Sequence, residues 1–432
     1  MKKQKILIIT YYWPPAGGAG VQRWLKFVKY LSKSGKFDIF VYTAENPESP
    51  QNDESLLNDI PENVKIIKKP IWEPLGIYKK VTGQKGNFNA AFLNENKTET
   101  KKSFKQKLSL FVRGNFFIPD AKMFWIKPSV KFLSKFIKEN NIKTIITTGP
   151  PHSLNVIGLK LKRKLDVKWI ADFRDPWTNI DFYKELKLTS FADKKHHKLE
   201  KKVLDTADVV VSVGETMRQE FLQISENKNI RVITNGYDSE DFEGYRKQKH
   251  DKFVIAHIGS INKDRNHEAF YKAVNLAIEN ENLRKKLQLV FVGKLDASVK
   301  EMISKYKLDD FVQIVSYLPH KEVVQYMFDA DLLYLPVNNT PNARGILTGK
   351  FFEYLATKNP ILAIGPTDGD IAQILNETNS GKIFDFEDSE GIKDFIQNAN
   401  IESFDFNNIE KYSREKLTEE LIRILNSREN NE

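Results

Sequence analysis

Hydrophobic residues follow two different periods along this chain. Short runs rich in β-branched residues alternate with longer stretches that have helical apolar spacing. The short runs are typical of buried strands and the longer stretches of amphipathic helices, so the pattern predicts an α/β fold with parallel sheets rather than a sandwich. The predicted strands are 5–10, 37–43, 64–67, 144–148, 167–172 and 208–213 in the first half, and 253–258, 287–293, 311–315, 332–336 and 360–364 in the second.

The alternation of strands and helices occurs in both halves of the chain. Its 432 residues exceed what one hydrophobic core usually supports. We therefore predict two Rossmann-like domains, residues 1–238 and 250–411, joined by the polar stretch 238–251. Residues 412–432 include apolar positions at helical spacing, which predicts a closing helix packed on another element.

The composition is that of a water-soluble globular protein, with 41% hydrophobic and 29% charged residues. No segment approaches the roughly 18 unbroken apolar residues of a membrane span. The N-terminal apolar run covers only Ile6–Ile9 and meets bulky aromatic residues, so it predicts a first strand rather than a secretion signal. The chain has no cysteine, which excludes disulfides and thiolate metal sites. We expect a cytoplasmic protein.

Charge is distributed unevenly between the two halves. Residues 1–250 hold 45 Lys and Arg against 28 Asp and Glu, a net charge of +17, whereas residues 251–432 hold 22 against 29, a net charge of −7. A positive half suits an anionic membrane face, an anionic acceptor or nucleic acid, but it also serves simple solubility. Charge alone does not choose between these partners.

One aromatic-rich segment of the first half, residues 101–143, is strongly basic. The segment holds eleven basic and two acidic residues. Its apolar residues keep helical spacing with lysines on the opposite faces, which favours contact with an anionic membrane surface. The same apolar stripes are equally suited to packing on the N-terminal sheet. The interleaved aromatic residues are Phe104, Phe111, Phe116, Phe117, Phe124, Trp125, Phe132 and Phe136.

A glycine-rich loop follows the first predicted strand. Gly17, Gly18 and Gly20 precede a helix that begins near Val21. Glycines there allow backbone N–H groups to approach an anionic ligand at a helix N-terminus. The spacing is not that of the dinucleotide fingerprint, and the loop also reads as a plain turn between strand and helix.

A charged cluster follows the fifth predicted strand. Asp172, Arg174 and Asp175 place two carboxylates around one guanidinium. Because α/β proteins bind ligands at the carboxyl ends of strands, the cluster indicates a site, although a salt bridge that caps the loop would have the same sequence. His152 follows the fourth strand; it either orients a substrate or caps the next helix together with Ser153.

Two strand ends in the second half combine glycine with a cation. Gly259 is followed by Lys263 and Arg265, and Gly293 by Lys294. Glycine permits close backbone approach, and a lysine or arginine beside it suits a diphosphate. Together the two strand ends indicate one anionic ligand across the sheet edge, although each cation by itself also reads as a solvated loop charge.

The most specific motif runs over residues 345–363. A turn through Thr348 and Gly349 leads into a helix with Lys350 and, one turn further, Glu353, followed by proline and an apolar strand. Backbone amides at that helix N-terminus are suited to a phosphate, to which Lys350 adds a point charge. The alternative is an ordinary amphipathic helix with a solvated glutamate.

In these motifs, and over nearly its whole length, the chain resembles the retaining glycosyltransferases of the GT-B fold, the family 4-like group also called glycosyl transferases group 1. The resemblance implies two Rossmann-like domains facing a cleft, with a nucleotide-sugar donor in the C-terminal domain and an acceptor in the N-terminal one. It also implies a last helix that crosses back onto the N-terminal domain. One turn inside a phosphate-facing helix, Glu353 is placed to accept hydrogen bonds from both ribose hydroxyls of the nucleotide.

These motifs give a two-part expectation for the site. The donor-binding residues are Gly17, Gly18, Gly259, Arg265, Lys294, Thr348, Gly349, Lys350 and Glu353. The catalytic residues are Asp172, Arg174, Asp175 and His152.

The chain also departs from the family pattern. The paired-glutamate signature has its first acid where this chain has Gly345, so a contact usually made to the donor sugar is missing or supplied elsewhere. A histidine that many relatives carry after the fifth strand is replaced by Arg174. The Arg–Lys pair expected after Gly259 is represented only by Ser260, Lys263, Arg265 and Asn266.

The resulting hypothesis is glycosyl transfer to a cell-surface glycan or lipid-linked acceptor, with retention implied by the resemblance. Arg265, Lys294 and Lys350 would stabilise the departing diphosphate, so we expect no metal ion and no cofactor. Asp368 and Asp370 imitate a metal-binding pair, but they precede a predicted helix, which favours an N-cap role for Asp370.

Two other classes of protein remain open at this point. A nicotinamide-dependent oxidoreductase also uses twin Rossmann units, with Glu45 as its ribose reader, but the irregular glycine loop counts against it. A basic membrane-binding or nucleic-acid-binding module would explain the +17 half while leaving Lys350 and Glu353 without a role. We expect no nucleic-acid partner, and we expect contact with the inner face of an anionic membrane through residues 101–143.

Overall fold

The computed structural model describes residues 3–49, 52–72, 104–316, 318–398 and 403–427. These residues form two compact units. The first unit holds the described residues up to Thr234 together with those from Arg414 onwards, and the second holds Asn235–Ser413.

Strands and helices alternate through both units. The strands are β1 Gln4–Ile9, β2 Phe37–Ala44, β3 Lys65–Lys69, β4 Thr144–Gly149, β5 Lys168–Phe173, β6 Val209–Ser212, β7 Ile230–Val232, β8 Phe253–Ile258, β9 Leu287–Val292, β10 Val312–Val315, β11 Leu332–Pro336, β12 Ile361–Ile364 and β13 Gly381–Phe384. The helices are α1 Ala19–Lys33, α2 Phe104–Phe116, α3 Ile126–Asn140, α4 Ser153–Lys162, α5 Ser190–Thr206, α6 Glu215–Ile224, α7 Glu268–Ala277, α8 Glu281–Lys286, α9 Ala297–Lys305, α10 His320–Asp329, α11 Gly349–Thr357, α12 Asp370–Thr378, α13 Ser389–Asn398 and α14 Arg414–Asn426.

The first unit is built on a parallel sheet of seven described strands in the order β3-β2-β1-β4-β5-β6-β7. Both faces of this sheet are buried, as its continuous apolar strands require. Along β1, Ile6 and Ile8 enter one core and Leu7 and Ile9 the other. Successive side chains of a strand point to opposite faces, so each apolar strand supplies both layers.

The closing helix α14 packs on the first unit, as the resemblance implies. Its residues Leu417, Leu421 and Leu425 are buried in the same core as Ile6 and Trp24. Their three- and four-residue spacing places them on one helical face. A helix is therefore present at the predicted position, with its apolar face buried in the first unit.

The second unit has a parallel sheet of six described strands in the order β10-β9-β8-β11-β12-β13. It too is covered on both faces by helices whose apolar residues form two cores. The order of the strands reverses between the neighbouring strands β8 and β11. Open α/β sheets bind ligands outside the carboxyl ends of the strands at such a switch point, so the end of β8 and the strand ends beside it are the first place to look for a site.

Every predicted strand is present, with ends shifted by one or two residues. The predictions omitted β7, which is only three residues long, and β13, which opens with a glycine and offers only a short apolar run. A Cβ at Gly381 would collide with the carbonyl of Ile361 on β12, so glycine is required for the two strands to pair closely. A lone glycine reads as a strand ending when the partner strand is unknown, and this is why the sequence pattern missed it.

The polar stretch 238–251, predicted to be a linker, belongs to the second unit. Tyr237 and Phe242 pack against the core of that unit and hold the stretch in place. Because the rest of the stretch is hydrophilic, its sequence did not indicate that these two residues pack in a core. The change from first to second unit falls between Thr234 and Asn235 instead.

Candidate functional site

At the end of β8, the second unit brings an amine against the backbone. Gly259 has φ +113°, and a Cβ there would collide with Nζ of Lys350. The lysine comes from α11, far along the chain, and the glycine leaves room for its amine above the strand end. The sequence predicted both residues for anion binding, and the structure brings them together.

The next strand end supports this arrangement. Gly293 follows β9 with φ +127°, and a Cβ there would lie 2.9 Å from the carbonyl carbon and oxygen of Gly259. The amide of Gly259 donates to the carbonyl of Val292 at 2.7 Å. Two glycines thus allow neighbouring strand ends to approach closely, which leaves a backbone surface without side chains beside Lys350.

The orientation of α11 fixes which side chains point to this surface. The hydroxyl of Tyr354 accepts a hydrogen bond from the amide of Ile258 at 2.9 Å, which sets the rotation of the helix against β8. Lys350 and Glu353 are three residues apart and therefore lie on one face. The N-cap residue Thr348 makes no side-chain cap, and its buried Oγ1 has no hydrogen-bond partner among the described residues.

The environment of Lys350 is electrostatically unusual. Burial and the nearby Arg265 guanidinium lower the pKa of Lys350 to about 7. Burial and the charge of Lys350 likewise lower the pKa of His257 well below its usual value. The His257 ring nitrogen Nδ1 lies 2.9 Å from the carbonyl oxygen of Tyr334, and this contact holds the ring inside the core. Such a site favours an anionic ligand, which would restore the charged state of the lysine.

The remaining predicted cations occupy different positions. Arg265 lies in a short 3-10 helix after β8, and its Nε donates to Oδ1 of Asn338. Its charge is close enough to lower the pKa of Lys350. Lys294 is exposed beyond β9, and its carbonyl accepts from the amide of Ile261 at 3.1 Å. Lys294 therefore follows the correct strand end but lies farther into solvent.

Glu353 has a partner that the sequence did not indicate. Its Oε1 lies 3.2 Å from Nε2 of His320, the first residue of α10. The two residues are 33 positions apart, so no short sequence motif predicts their contact. The structure therefore adds His320 to the candidate site.

The two acids that imitate a metal site are held apart from one another. Asp368 is exposed and pairs with Arg344. Asp370 is buried in the first turn of α12, whose N-cap is Gly369, so the predicted N-cap role for Asp370 is wrong by one position. Within the described ranges, no group of three or more His, Asp or Glu side chains is arranged to hold a metal ion.

In the first unit, Asp172 forms the centre of a buried polar network. Its Oδ1 accepts from Arg23 at 2.8 Å, and its Oδ2 accepts from Trp24 Nε1 and Thr148 Oγ1, both at 2.8 Å. Arg23 and Asp172 are each 1% exposed. Their mutual engagement ties α1 to the sheet, so the geometry favours a structural role for Asp172 over its predicted catalytic one.

Arg174 is also occupied by the protein. It donates to the carbonyl oxygen of Pro150, and a Cβ at Gly20 would collide with its guanidinium. The side chain thus clamps the glycine-rich loop to the loop after β4. Asp175, by contrast, is exposed to solvent. Burial lowers the pKa of Arg174 and the nearby charge of Asp175 raises it, so the two side chains remain electrostatic neighbours.

The glycine-rich loop leads directly into α1. Gly18 is the N-cap with φ +96°, a conformation that favours glycine, while Gly17 is buried. The amide of Val21 donates to the carbonyl of Gly18 at 3.0 Å. The predicted helix start near Val21 is two residues late.

His152 is the buried N-cap residue of α4, but its side chain makes no capping hydrogen bond. Its ring stacks on Trp177 with centroids 4.8 Å apart and an interplanar angle of 5°. Burial and the neighbouring Arg174 lower the pKa of His152 to about 3, so the ring is neutral near pH 7. Ser153 pairs instead with Asp120, whose carboxylate accepts from its amide at 2.8 Å and from its hydroxyl at 2.7 Å.

Part of the basic segment 101–143 packs and part of it is exposed. In α3, Val130, Leu133 and Ile137 are buried in the core of the first unit, so this stripe supports the sheet. Residues 101–103 lie outside the described ranges. The exposed large apolar residues of the segment and its surroundings are Trp72, Phe111, Val112, Phe116 and Phe124.

No helix in the described part of the chain is both long and apolar enough to span a membrane.

Known proteins of similar structure share this fold. HepE from Anabaena, crystallised with UDP, superposes with a TM-score of 0.63 at 12% identity, covering 98% of this chain and 99% of that one. Sucrose-phosphate synthase from Thermosynechococcus elongatus gives 0.61 at 14% identity, covering 98% of each chain. A putative UDP-N-acetylglucosamine 2-epimerase from Listeria monocytogenes gives 0.56 at 13% identity, covering 98% of this chain and 96% of that one. At such identities these likenesses show the fold alone.

Family models identify the sequence more closely. Residues 99–241 match the model of glycosyltransferase family 4, and residues 238–416 match that of glycosyl transferases group 1. No curated protein sequence matches the chain. The two models meet at the change from first to second unit, and neither describes a nicotinamide-dependent oxidoreductase or a nucleic-acid-binding module. The two models match in order along the chain, and each of the two α/β units is built on a parallel sheet. The chain therefore belongs to the group 1 glycosyltransferases and is an enzyme of the GT-B fold.

Proposed function

We propose that this glycosyltransferase takes its sugar from a nucleoside diphosphate sugar bound at the strand ends of the second unit. The acceptor is a cell-surface glycan or lipid-linked sugar held by the first unit, and transfer retains the anomeric configuration. The observation that carries the donor site is the Lys350 amine lying against Gly259, with Glu353 on the same face of α11. The Lys350 amine and the backbone at Gly259 suit the diphosphate, and the Glu353 carboxylate suits the ribose.

The chemistry of the step follows from the departing group. When the bond between the sugar and the diphosphate breaks, negative charge grows on the leaving phosphate oxygens. Lys350, Arg265 and the amides at the start of α11 stabilise that charge more strongly in the transition state than in the bound donor. Positive side chains thereby take the role that a divalent ion has in other sugar transfers, and the proposed reaction uses neither metal nor cofactor.

UDP is the nucleotide to test first. HepE was crystallised with UDP and also with UDP and glucose, and the related epimerase is named for a UDP sugar. A wider panel with other bases distinguishes a different donor from an empty site.

In the first unit, His152 and Asp175 are the residues we propose to face the acceptor. The imidazole of His152 is neutral and held in one plane by Trp177, so it can exchange hydrogen bonds with a sugar hydroxyl without a change of charge. Asp175 is exposed in the loop after β5. Arg174 and Asp172 support these residues by fixing the loops that carry them.

We further propose that the enzyme works at the cytoplasmic face of an anionic membrane, where polysaccharide precursors carry lipid anchors. The exposed aromatic residues Phe116 and Phe124 lie in the basic segment 101–143, and Trp72 contacts Phe124 edge to face at 4.7 Å. Aromatic rings and lysines together suit the headgroup region of a bilayer.

Vesicle sedimentation tests this membrane proposal. We expect the chain to pellet with phosphatidylglycerol vesicles and to remain in solution with phosphatidylcholine vesicles, because each basic residue near an anionic surface contributes about 1 kcal/mol. A Phe116→Ser, Phe124→Ser double variant should pellet less, whereas Phe191→Ser, at an exposed position outside the segment, should behave as wild type. Equal pelleting with both lipids, or with neither, would contradict the proposal.

Glu353→Gln tests the ribose contact of the donor site. The change keeps the shape of the side chain but removes its charge, so UDP affinity should fall by about 1.5–3 kcal/mol, the range of a hydrogen bond to a charged group. The melting temperature should stay near that of wild type, because the carboxylate is partly exposed. Calorimetric titration and thermal unfolding measure the two effects; unchanged affinity with a lowered melting temperature would make Glu353 a packing residue.

A further inference from the structure

A histidine outside every predicted motif contacts the proposed ribose reader. Nε2 of His320 lies 3.2 Å from Oε1 of Glu353. The side chains are 35% and 22% exposed, so the contact sits at the border of the protein, neither in the core nor free in solvent. A ligand can therefore reach the pair from its exposed side.

Two different helices supply the pair. Glu353 belongs to α11, whose rotation is fixed by the bond between Tyr354 and Ile258. His320 is the first residue of α10, and Val324 and Met327 of that helix are buried in the core. With both helix backbones held by packing, the freedom that remains at this point is the rotation of the two side chains, which their contact restricts.

A free glutamate loses rotamer entropy when it binds a ligand, which subtracts from the affinity. An imidazole N–H that donates to Oε1 selects one orientation before the ligand arrives. Oε2 and the second lone pair of Oε1 then remain available as acceptors. Two vicinal hydroxyl groups require two acceptor positions of this kind, held at a fixed spacing.

We infer that His320 is a positioning residue that fixes the Glu353 carboxylate for the paired 2′- and 3′-hydroxyls of a ribonucleoside diphosphate, and thereby favours ribose over 2′-deoxyribose in the donor. This inference rests on the proposed role of Glu353 in donor binding. His320 acts through the carboxylate and does not touch the reacting bond.

Calorimetric titrations with UDP, 2′-deoxy-UDP and inorganic pyrophosphate test the inference. His320→Leu should weaken UDP binding about threefold to tenfold, the fold-change that corresponds to ordering one flexible side chain. The loss for 2′-deoxy-UDP should be smaller, and pyrophosphate, which lacks a ribose, should bind as to wild type. His320→Gln retains an N–H donor at similar reach and should recover most of the affinity for UDP.

Control variants separate this role from a general effect on α10. His250 contacts the carbonyl of Asp329 at the other end of the helix, with Nε2 to oxygen 2.8 Å, so His250→Leu removes a comparable contact and should leave UDP affinity unchanged. In a double-mutant cycle, His320→Leu should add little once Glu353→Gln is present, because the histidine acts through the carboxylate.

The outcomes are distinct. If Glu353→Gln weakens UDP binding while His320→Leu does not, or if the two losses add in full, the positioning role is overturned and the ribose contact stands. A His320→Leu loss that is equal for all three ligands also overturns it. If Glu353→Gln itself leaves UDP binding unchanged, the proposed ribose contact fails and the inference fails with it.

Discussion

Lys350→Met is expected to weaken UDP binding by about 2–5 kcal/mol, the range observed when one partner of a buried, hydrogen-bonded charge pair is removed. Methionine keeps the length and apolar stem of lysine but offers no charge. The loss should be large because the amine lies directly against Gly259 and no side chain at that glycine or at Gly293 intervenes between it and the strand ends.

The same lysine predicts how binding depends on pH. Its pKa is about 7 in the free protein, and a bound diphosphate raises it by favouring the charged form. Between the two pKa values, the free protein is deprotonated and the complex is protonated, so binding takes up a proton. Affinity is therefore full below pH 7 and falls above it, by up to about 1.4 kcal/mol for each pH unit.

Titrations of UDP between pH 6 and 9 measure this dependence. Lys350→Met should bind weakly and with a flatter pH profile, whereas Lys300→Met, at an exposed position of α9, should match wild type in both respects. Wild-type affinity that stays constant to pH 9 would contradict the assignment of Lys350 to the diphosphate.

Arg23→Met is expected to lower the free energy of unfolding by about 3–5 kcal/mol, because it leaves the buried carboxylate of Asp172 without its counter-charge. Arg23 also donates to the carbonyls of Thr234 at 2.7 Å and Ile233 at 2.9 Å, and both acceptors would lose that partner. Urea denaturation measures the change, provided that the transition of the first unit is followed separately from that of the second.

Two further variants serve as comparisons for Arg23→Met. Arg423→Met removes an exposed ion pair with Glu420 on α14 and should change stability by no more than about 0.5 kcal/mol. The double variant Arg23→Met, Asp172→Asn should recover part of the loss, since no uncompensated charge remains. A cost below about 1 kcal/mol for Arg23→Met alone would show that the network around Asp172 is not structural.

The fold was largely predictable from the period of hydrophobic residues. A parallel strand buried on both faces reads as a continuous apolar run, and each predicted run is a strand. The exceptions have local causes. β13 begins at Gly381, whose need for close pairing with Ile361 cannot be read without knowing the partner strand.

The candidate site was predictable where one helix or one strand end supplies it. Lys350 and Glu353 were predicted together because one motif, a turn that leads into a helix, places them one turn apart at the start of α11. His320 was missed because its contact joins two helices whose relative position is a property of the tertiary structure. A sequence motif records neighbours along the chain and not neighbours across it.

The charged cluster after β5 shows a second limit. The residues Asp172, Arg174 and Asp175 were predicted to act together. In the structure Asp172 is buried against Arg23, Arg174 packs against Gly20, and Asp175 is exposed. The residue types predicted a charged site after β5. The role of each residue depends on partners that are distant along the chain, such as Thr148 and Arg23, which bind Asp172 from 24 and 149 positions away.

Titration of nucleoside diphosphates into the intact chain in the presence of EDTA tests the central claim most directly. We predict saturable binding of at least one among UDP, ADP, GDP and CDP, with a heat at pH 8 that varies with the ionisation enthalpy of the buffer because a proton is taken up. In Lys350→Met we predict weaker binding and no dependence on the buffer. Binding of none of the four without added divalent metal, or binding that Lys350→Met leaves unchanged, would contradict a donor site built on the strand ends of the second unit and the start of α11.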